Sequence, residues 1–239
     1  MASEVIITIT LCVVLAFLAY WKRVFDTSGC LAAFFIGLVI GILGSLLWLL
    51  MLLIFLISSF LATKFKFEYK KSRGVQEGIR GERRIKNVIA NGSVPVIIVI
   101  LKYFLALDNT FATILFLTAI AVAAADTLAS EIGVLADKTY LITNLRKRVA
   151  AGTNGGVSIL GTSAALFASF YVASIGCLLC GILSIELFIV PLLLGFLGCN
   201  IDSLLGATLE KGILTKGMVN YISIATSTLI AVLWIKLLF

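Results

Sequence analysis

Apolar stretches of 17 or more residues recur along this chain, and nothing else in it constrains the fold as strongly. Inside a bilayer every backbone polar group must find its partner within the protein, so runs of this length cross as helices. Composition agrees. Of 239 residues 61% are hydrophobic and 13% charged, too little polar surface for a water-soluble domain of that size. The runs fall near 4–20, 29–43, 45–62, 94–107, 111–133, 156–179, 182–208 and 218–238. They predict an all-α fold, a polytopic helical transmembrane bundle of seven or eight spans forming a single integral membrane domain over 1–239. The ambiguity lies at 28–62, short of two full spans, which reads as two short helices or one long tilted one. The first run is too long for a cleavable signal peptide and no small-residue cleavage site follows it, so 4–20 is expected to remain as a span.

Charge orients the bundle. With eight crossings, the loops near 21–28, 63–93, 134–155 and 209–217 share one side and hold 2, 9, 4 and 2 Lys/Arg, 17 of the chain's 19. The positive-inside rule makes that side cytoplasmic and predicts a multi-pass protein of the cell membrane with a basic cytoplasmic loop at about 63–93. The net charge of +7 serves orientation and attraction to anionic lipid, and no nucleic-acid partner is implied. The lysines of KFKFEYKK (64–71) fit that role. Arg80, Arg83, Arg84 and Lys86 lead instead straight into Asn91-Gly92, where a span is expected to begin near residue 94.

The chain contains no histidine, which removes Ser-His and Cys-His catalysis and the usual proton shuttle near neutral pH. The five cysteines fall inside apolar segments, and the CxxC of Cys177 and Cys180 lacks a second pair or a histidine to make a metal site. Carboxylates, hydroxyls, amides, Lys and Arg are left to do any chemistry.

Acids within spans are costly and mark function. Asp126 and Glu131 lie toward the end of the run at 111–133 and Asp202 toward the end of 182–208, two segments expected to run inward in parallel. On a helix Asp126 and Ser130 share one face, while Thr127 and Glu131 share the adjacent one. Asp126-Thr127-Leu128 and Asp202-Ser203-Leu204 make a faint internal repeat. The segment AGTNGGVS (151–158) precedes an outward-running span. Its glycines let backbone approach a ligand, Thr153, Asn154 and Ser158 add side-chain polar groups, and Arg146, Lys147 and Arg148 stand just upstream. A glycine-rich turn between cations and a helix amino end is a phosphate cradle in outline, although no GxxxxGK[ST] is present.

The motifs ADTLASEIG (125–133), AGTNGGVSILGT (151–162) and NIDSLLGAT (200–208), with IANG (89–92) in support, resemble those of the phytyl-phosphate kinase family of integral membrane proteins, which also contains eukaryotic transmembrane protein 19. The likeness runs from about residue 28 to 225. More distantly the chain is similar to CTP-using lipid enzymes such as dolichol kinase, phytol kinase and CDP-lipid synthases. The resemblance implies transfer of the CTP γ-phosphate to an isoprenoid monophosphate, phytyl or geranylgeranyl phosphate, giving the diphosphate. It carries over Asp126, Ser130 and Glu131, then Thr153, Asn154 and Gly155, then Asp202 and Ser203, with Asn91. The loop after Asp202 is short here, at 209–217, so a contact made by a longer family loop is not expected.

These lines combine into one expectation. Asp126, Glu131 and Asp202 hold Mg2+; Asn91, Ser130, Thr153, Asn154, Gly155, Gly156 and Ser203 bind nucleotide or phosphate; Lys147 and Arg148, with Arg83 or Arg84, neutralise developing charge. CTP is the phosphoryl donor and the membrane lipid phase delivers the isoprenoid. A phosphate monoester, with its second pKa near ~6, is already a nucleophilic dianion at neutral pH, so a chain without histidine suffices. Cytidylyl transfer to a lipid phosphate would use the same parts. An ion-coupled transporter with Asp126 and Glu131 as the ion site, a structural membrane protein, and a homo-oligomer are the remaining alternatives.

Overall fold

A computed structural model describes residues 2–210 and 212–238. Lys211, one of the cations counted in the 209–217 loop, lies outside them. Helices α1 (Ala2–Trp21), α2 (Thr27–Val39), α3 (Leu46–Lys64), α5 (Ile85–Leu105), α6 (Asn109–Gly133), α7 (Ile159–Leu179), α8 (Ile185–Thr208) and α9 (Lys216–Leu238) are joined by a short helix α4 (Phe67–Ser72) and three strands, β1 (Thr139–Leu141), β2 (Asn144–Val149) and β3 (Gly156–Val157). Among the described residues eight helical segments are long and apolar enough to cross a membrane, so the fold is an all-α polytopic bundle.

The ambiguous region resolves into two spans. α2 continues as one π-helical turn over Ile40–Gly44 and then stops, because Ser45 is fully extended (φ −165°, ψ 163°) and its hydroxyl accepts from the Trp48 N–H at 3.2 Å to start α3. A serine N-cap of this kind satisfies one of the amide donors that a new helix leaves open. At the other end of α2, Asp26 caps by accepting from the Gly29 N–H.

α6 is the axle of the bundle. Residues Ala112 to Ala125 are all buried, and α3, α5, α7, α8 and α9 pack around them. The sequence IAVAAA (120–125) offers small side chains on every face, which lets neighbours approach as they do in membrane interfaces generally. Gly195 and Gly198 of α8 stand so close to α6 that a Cβ on either would come within 2.7 Å of Ala121 or Val122.

Two segments depart from the sequence expectation. α5 begins at Ile85, not near 94, so Asn91 and Gly92 are buried inside the helix instead of marking its amino end. The expected loop at 134–155 contains β1 and β2 of a small antiparallel sheet of order β2-β1-β3, with Tyr140 opposite both Arg148 and Val157. It stands at the α6 carboxyl end and the α7 amino end, where Ser158 caps α7 by accepting from Gly161 N–H (3.1 Å) and donates to Gly133 O (3.3 Å).

Candidate functional site

The parallel run of α6 and α8 brings the carboxyl groups of Asp126 and Asp202 against one another. Like charges cannot share such a contact without a proton or a cation. Both acids are held in place from α9. Asn220 Nδ2 donates to Asp126 Oδ2 at 3.2 Å, and Ser223 Oγ donates to Asp202 Oδ2 at 3.2 Å. Asn220 also reaches Asn91 Oδ1 on α5 at 3.4 Å, so four helices converge on the pair. Lys216, at the start of α9, is the cation that acts on Asp126, Asp202 and Glu210 together.

The pair stands in a polar cleft of about 380 Å³. One wall is the AGTNGG turn. Gly155 there has φ +72° and packs directly on Ala207, leaving no space for a Cβ and requiring a left-handed backbone that glycine alone adopts freely. The turn is therefore locked onto the carboxyl end of α8, one helical turn beyond Asp202. Glu210 lines the same cleft, and its carboxyl is pushed above the usual range by burial and by the charge of Asp126, with Lys216 and the nearby Asn154 opposing. The Thr153 hydroxyl donates locally to Ala150 O (2.7 Å), and that of Ser130 to Thr127 O (3.0 Å). Ser130, Thr153, Asn154, Gly155, Gly156 and Ser203 all line the cleft.

Glu131 has a different setting. It borders the cleft, but its Oε2 receives Lys70 Nζ at 2.7 Å and its Oε1 receives Thr63 Oγ1 at 2.9 Å. Lys70 is completely buried and gives its remaining donors to Ala62 O and Thr63 O, the last carbonyls of α3. All three ammonium hydrogens are thus used, and α3 is capped at its negative end. The lysine expected to be an ordinary surface cation is in fact the counter-ion of the acid expected to bind metal. Among the described residues no three acidic, cysteine or histidine side chains converge on a metal-sized point. The three-acid constellation therefore reduces to two.

The cations sort in the same way. Arg83 reaches inward, donating to Thr127 Oγ1 (3.3 Å) and Thr63 Oγ1 (3.4 Å), and its charge is felt at Asp126. Arg84 is exposed as the residue before α5. Lys147 and Arg148 lie exposed on β2, outside the cleft lining, and Arg148 bonds Asp137 O at 2.6 Å. Strand alternation and sheet pairing carried them away from the turn they precede in sequence. Sequence reasoning missed Lys216, Asn220 and Ser223, which with Ser227 recur at i, i+4, i+7 and i+11 along one face of the last span; that polar stripe was the available signal.

Relatives similar to this chain over most of its length include three of note. The uncharacterised membrane protein MJ0933 of Methanocaldococcus jannaschii is 33% identical over 229 residues, covering 95% of this chain and 92% of its own. The chloroplastic protein VTE6 of Arabidopsis thaliana is 32% identical over 87% of this chain, which spans 64% of the plant protein. Protein PGR, also of Arabidopsis thaliana, is 31% identical over 82% of this chain and 75% of its own length. No solved structure matches. The group whose motifs the chain resembles agrees with these relatives, and the family match extends over residues 10–232. The chain belongs to the integral membrane protein family DUF92.

Proposed function

We propose that this protein is a CTP-dependent kinase that converts an isoprenoid monophosphate, phytyl or geranylgeranyl phosphate, to the diphosphate. The observation that carries the proposal is the contact between Asp126 and Asp202 beside a polar cleft walled by the Asn154-Gly155 turn. Kinship with the phytyl-phosphate kinase group supplies the substrate class.

The residues fit a Mg2+ ion. Two carboxyl groups in contact call for a cation, and Asn220 Oδ1 beside them is buried with no hydrogen-bond partner among the described residues. Oxygen ligands of this kind, completed by substrate phosphate, are what Mg2+ takes. Asp126 and Asp202 would hold it, and when bound it would neutralise charge on the transferring phosphate.

The acceptor monoester oxygen attacks the γ-phosphorus, the bond to the β-bridging oxygen breaks, and CDP leaves with that electron pair. No proton is removed from the acceptor, so no general base is required. The obstacle is repulsion between anions, and phosphoryl transfer is mostly positioning and charge stabilisation. Lys216 faces the cleft from α9, and Arg83, bonded to Thr127 beside Asp126, stands just behind it; they supply the positive charge in place of Lys147 and Arg148. Backbone N–H groups of Asn154 and Gly155 receive the nucleotide phosphates, that of Gly156 being used within the turn on Thr153 O. The cation-rich side is the cytoplasmic side of the cell membrane in this proposal, so nucleotide arrives from the cytoplasm.

Incubation of purified protein with γ-labelled CTP and geranylgeranyl monophosphate tests it. Label in the lipid is the expected result. Label in released pyrophosphate would establish cytidylyl transfer instead, and no labelled product with any of CTP, ATP, GTP or UTP would overturn the enzyme reading.

A further inference from the structure

A second cavity lies between α1, α2, α3 and α5, and the polar cleft does not use it. We infer that this cavity is the seat of the isoprenoid tail, with Arg83 receiving the phosphate at its polar end. This rests on the kinase reading and adds to it where the lipid half of the reaction is held.

The cavity is apolar for most of its length. Ala16 and Ala19 of α1, Ala33 of α2, Leu52 and Leu56 of α3 and Gly92 of α5 are among its walls. Small side chains on three of the helices line it, and Gly92 lets α5 pack directly on Ile36 at its edge. Along α3 it extends from Leu49 to Thr63, fourteen residues or about 21 Å, the order of length of a C20 prenyl chain.

One end is different. Thr63, Arg83, Asn87 and Asn91 close the cavity on the side of the acid pair. Ser59 Oγ, one helical turn deeper, is 2% exposed and without a hydrogen-bond partner among the described residues. Arg83 makes only long hydrogen bonds to two hydroxyls, and Glu131, 3.9 Å away, is already neutralised by Lys70. Its guanidinium therefore keeps charge to offer a phosphate. Between this end and the cleft stands a thin partition. Asn91 lines the cavity and meets Asn220, which meets Asp126; Thr127, bonded to Arg83, is the residue next to Asp126. A phosphate at Arg83 stands one side chain from the acid pair.

The cavity's task follows from its surroundings. A prenyl tail is as well solvated by lipid as by these walls, so the cavity contributes little affinity. It contributes register, fixing how deep the tail sits and hence where the phosphate arrives. Filling the cavity should lower kcat for a long-chain acceptor as well as raise KM.

The test uses the whole protein in nanodiscs with geranylgeranyl monophosphate bearing a diazirine at its distal end. After photolysis, adducts on α1 to α3 residues around Ala16 and Ala33 are expected, and they should fall at least tenfold in Ala16→Phe and Ala33→Phe. The same variants should lose at least tenfold in kcat/KM with the C20 acceptor and keep binding a fluorescent CTP analogue. Adducts confined to the outer, lipid-facing residues such as Phe170 and Leu193 would overturn the proposal. If the variants do not fold, the adduct map of the unaltered protein decides. Adducts in the cavity without phosphoryl transfer would keep the lipid site and remove the kinase reading; transfer with adducts elsewhere would do the reverse.

Discussion

Asp126 and Glu131 lie five residues apart on one helix, both inside the bundle, and their settings are opposite. Glu131 has a dedicated ammonium at 2.7 Å and a hydroxyl at 2.9 Å. Asp126 has another carboxyl, an amide and only distant cations. Burial of an acid within a span is therefore not enough to mark chemistry. The site that can act is the one whose charge the protein leaves unbalanced, because a group already paired has nothing left to give a ligand.

Four sets of substitutions put that contrast at risk. Asp126→Asn or Asp202→Asn should cost about 10³-fold in CTP-dependent phosphorylation with folding retained, read by lipid labelling and by gel filtration in detergent. The double variant should be little worse than either single one, since the two act as a unit. Equal loss of stability in these variants and in Glu131 variants would erase the distinction. Next, Glu131→Gln should lower stability by about 3–5 kcal/mol by stranding the Lys70 ammonium, measured as a shift in thermal or denaturant unfolding, and Lys70→Met combined with Glu131→Leu should recover most of it. Third, Asn220→Ala or Ser223→Ala should reduce turnover by about 10- to 100-fold at unchanged melting temperature, as loss of a partner that orients a ligand does. Smallest, Lys147→Ala with Arg148→Ala should change activity by less than about twofold, as expected of surface positions; a large loss would return these cations to the site.

The sequence made the bundle readable because lipid imposes one rule on every span, and a run of apolar residues expresses it locally. The break at Ser45 was harder to see, since a π turn and a capped restart need only Gly44 and Ser45 to be written. The start of α5 was misplaced for a related reason: Lys86, Asn87, Asn91 and Gly92 look like loop residues, yet Asn91 and Gly92 are buried among other helices where polarity and small size are useful. For the site, helical geometry separated the Asp126–Ser130 face from the Thr127–Glu131 face correctly. What it could not supply was the partner of the second face, because Lys70 comes from a short helix that folds back beneath α3 after a left-handed turn at Lys66. Nearness in sequence likewise suggested that Arg148 belongs with Gly152, whereas pairing with β1 turns it elsewhere.

The enclosure of α6 has a consequence for experiment. An axle wrapped by five other helices never meets annular lipid along its middle, so what surrounds Asp126 is other side chains and the polar cleft, whatever amphiphile coats the particle. Exchange of native lipid for detergent should leave the electrostatics of that residue as they were, and any change in rate on delipidation would report on the outer helices and the route by which a hydrophobic substrate enters.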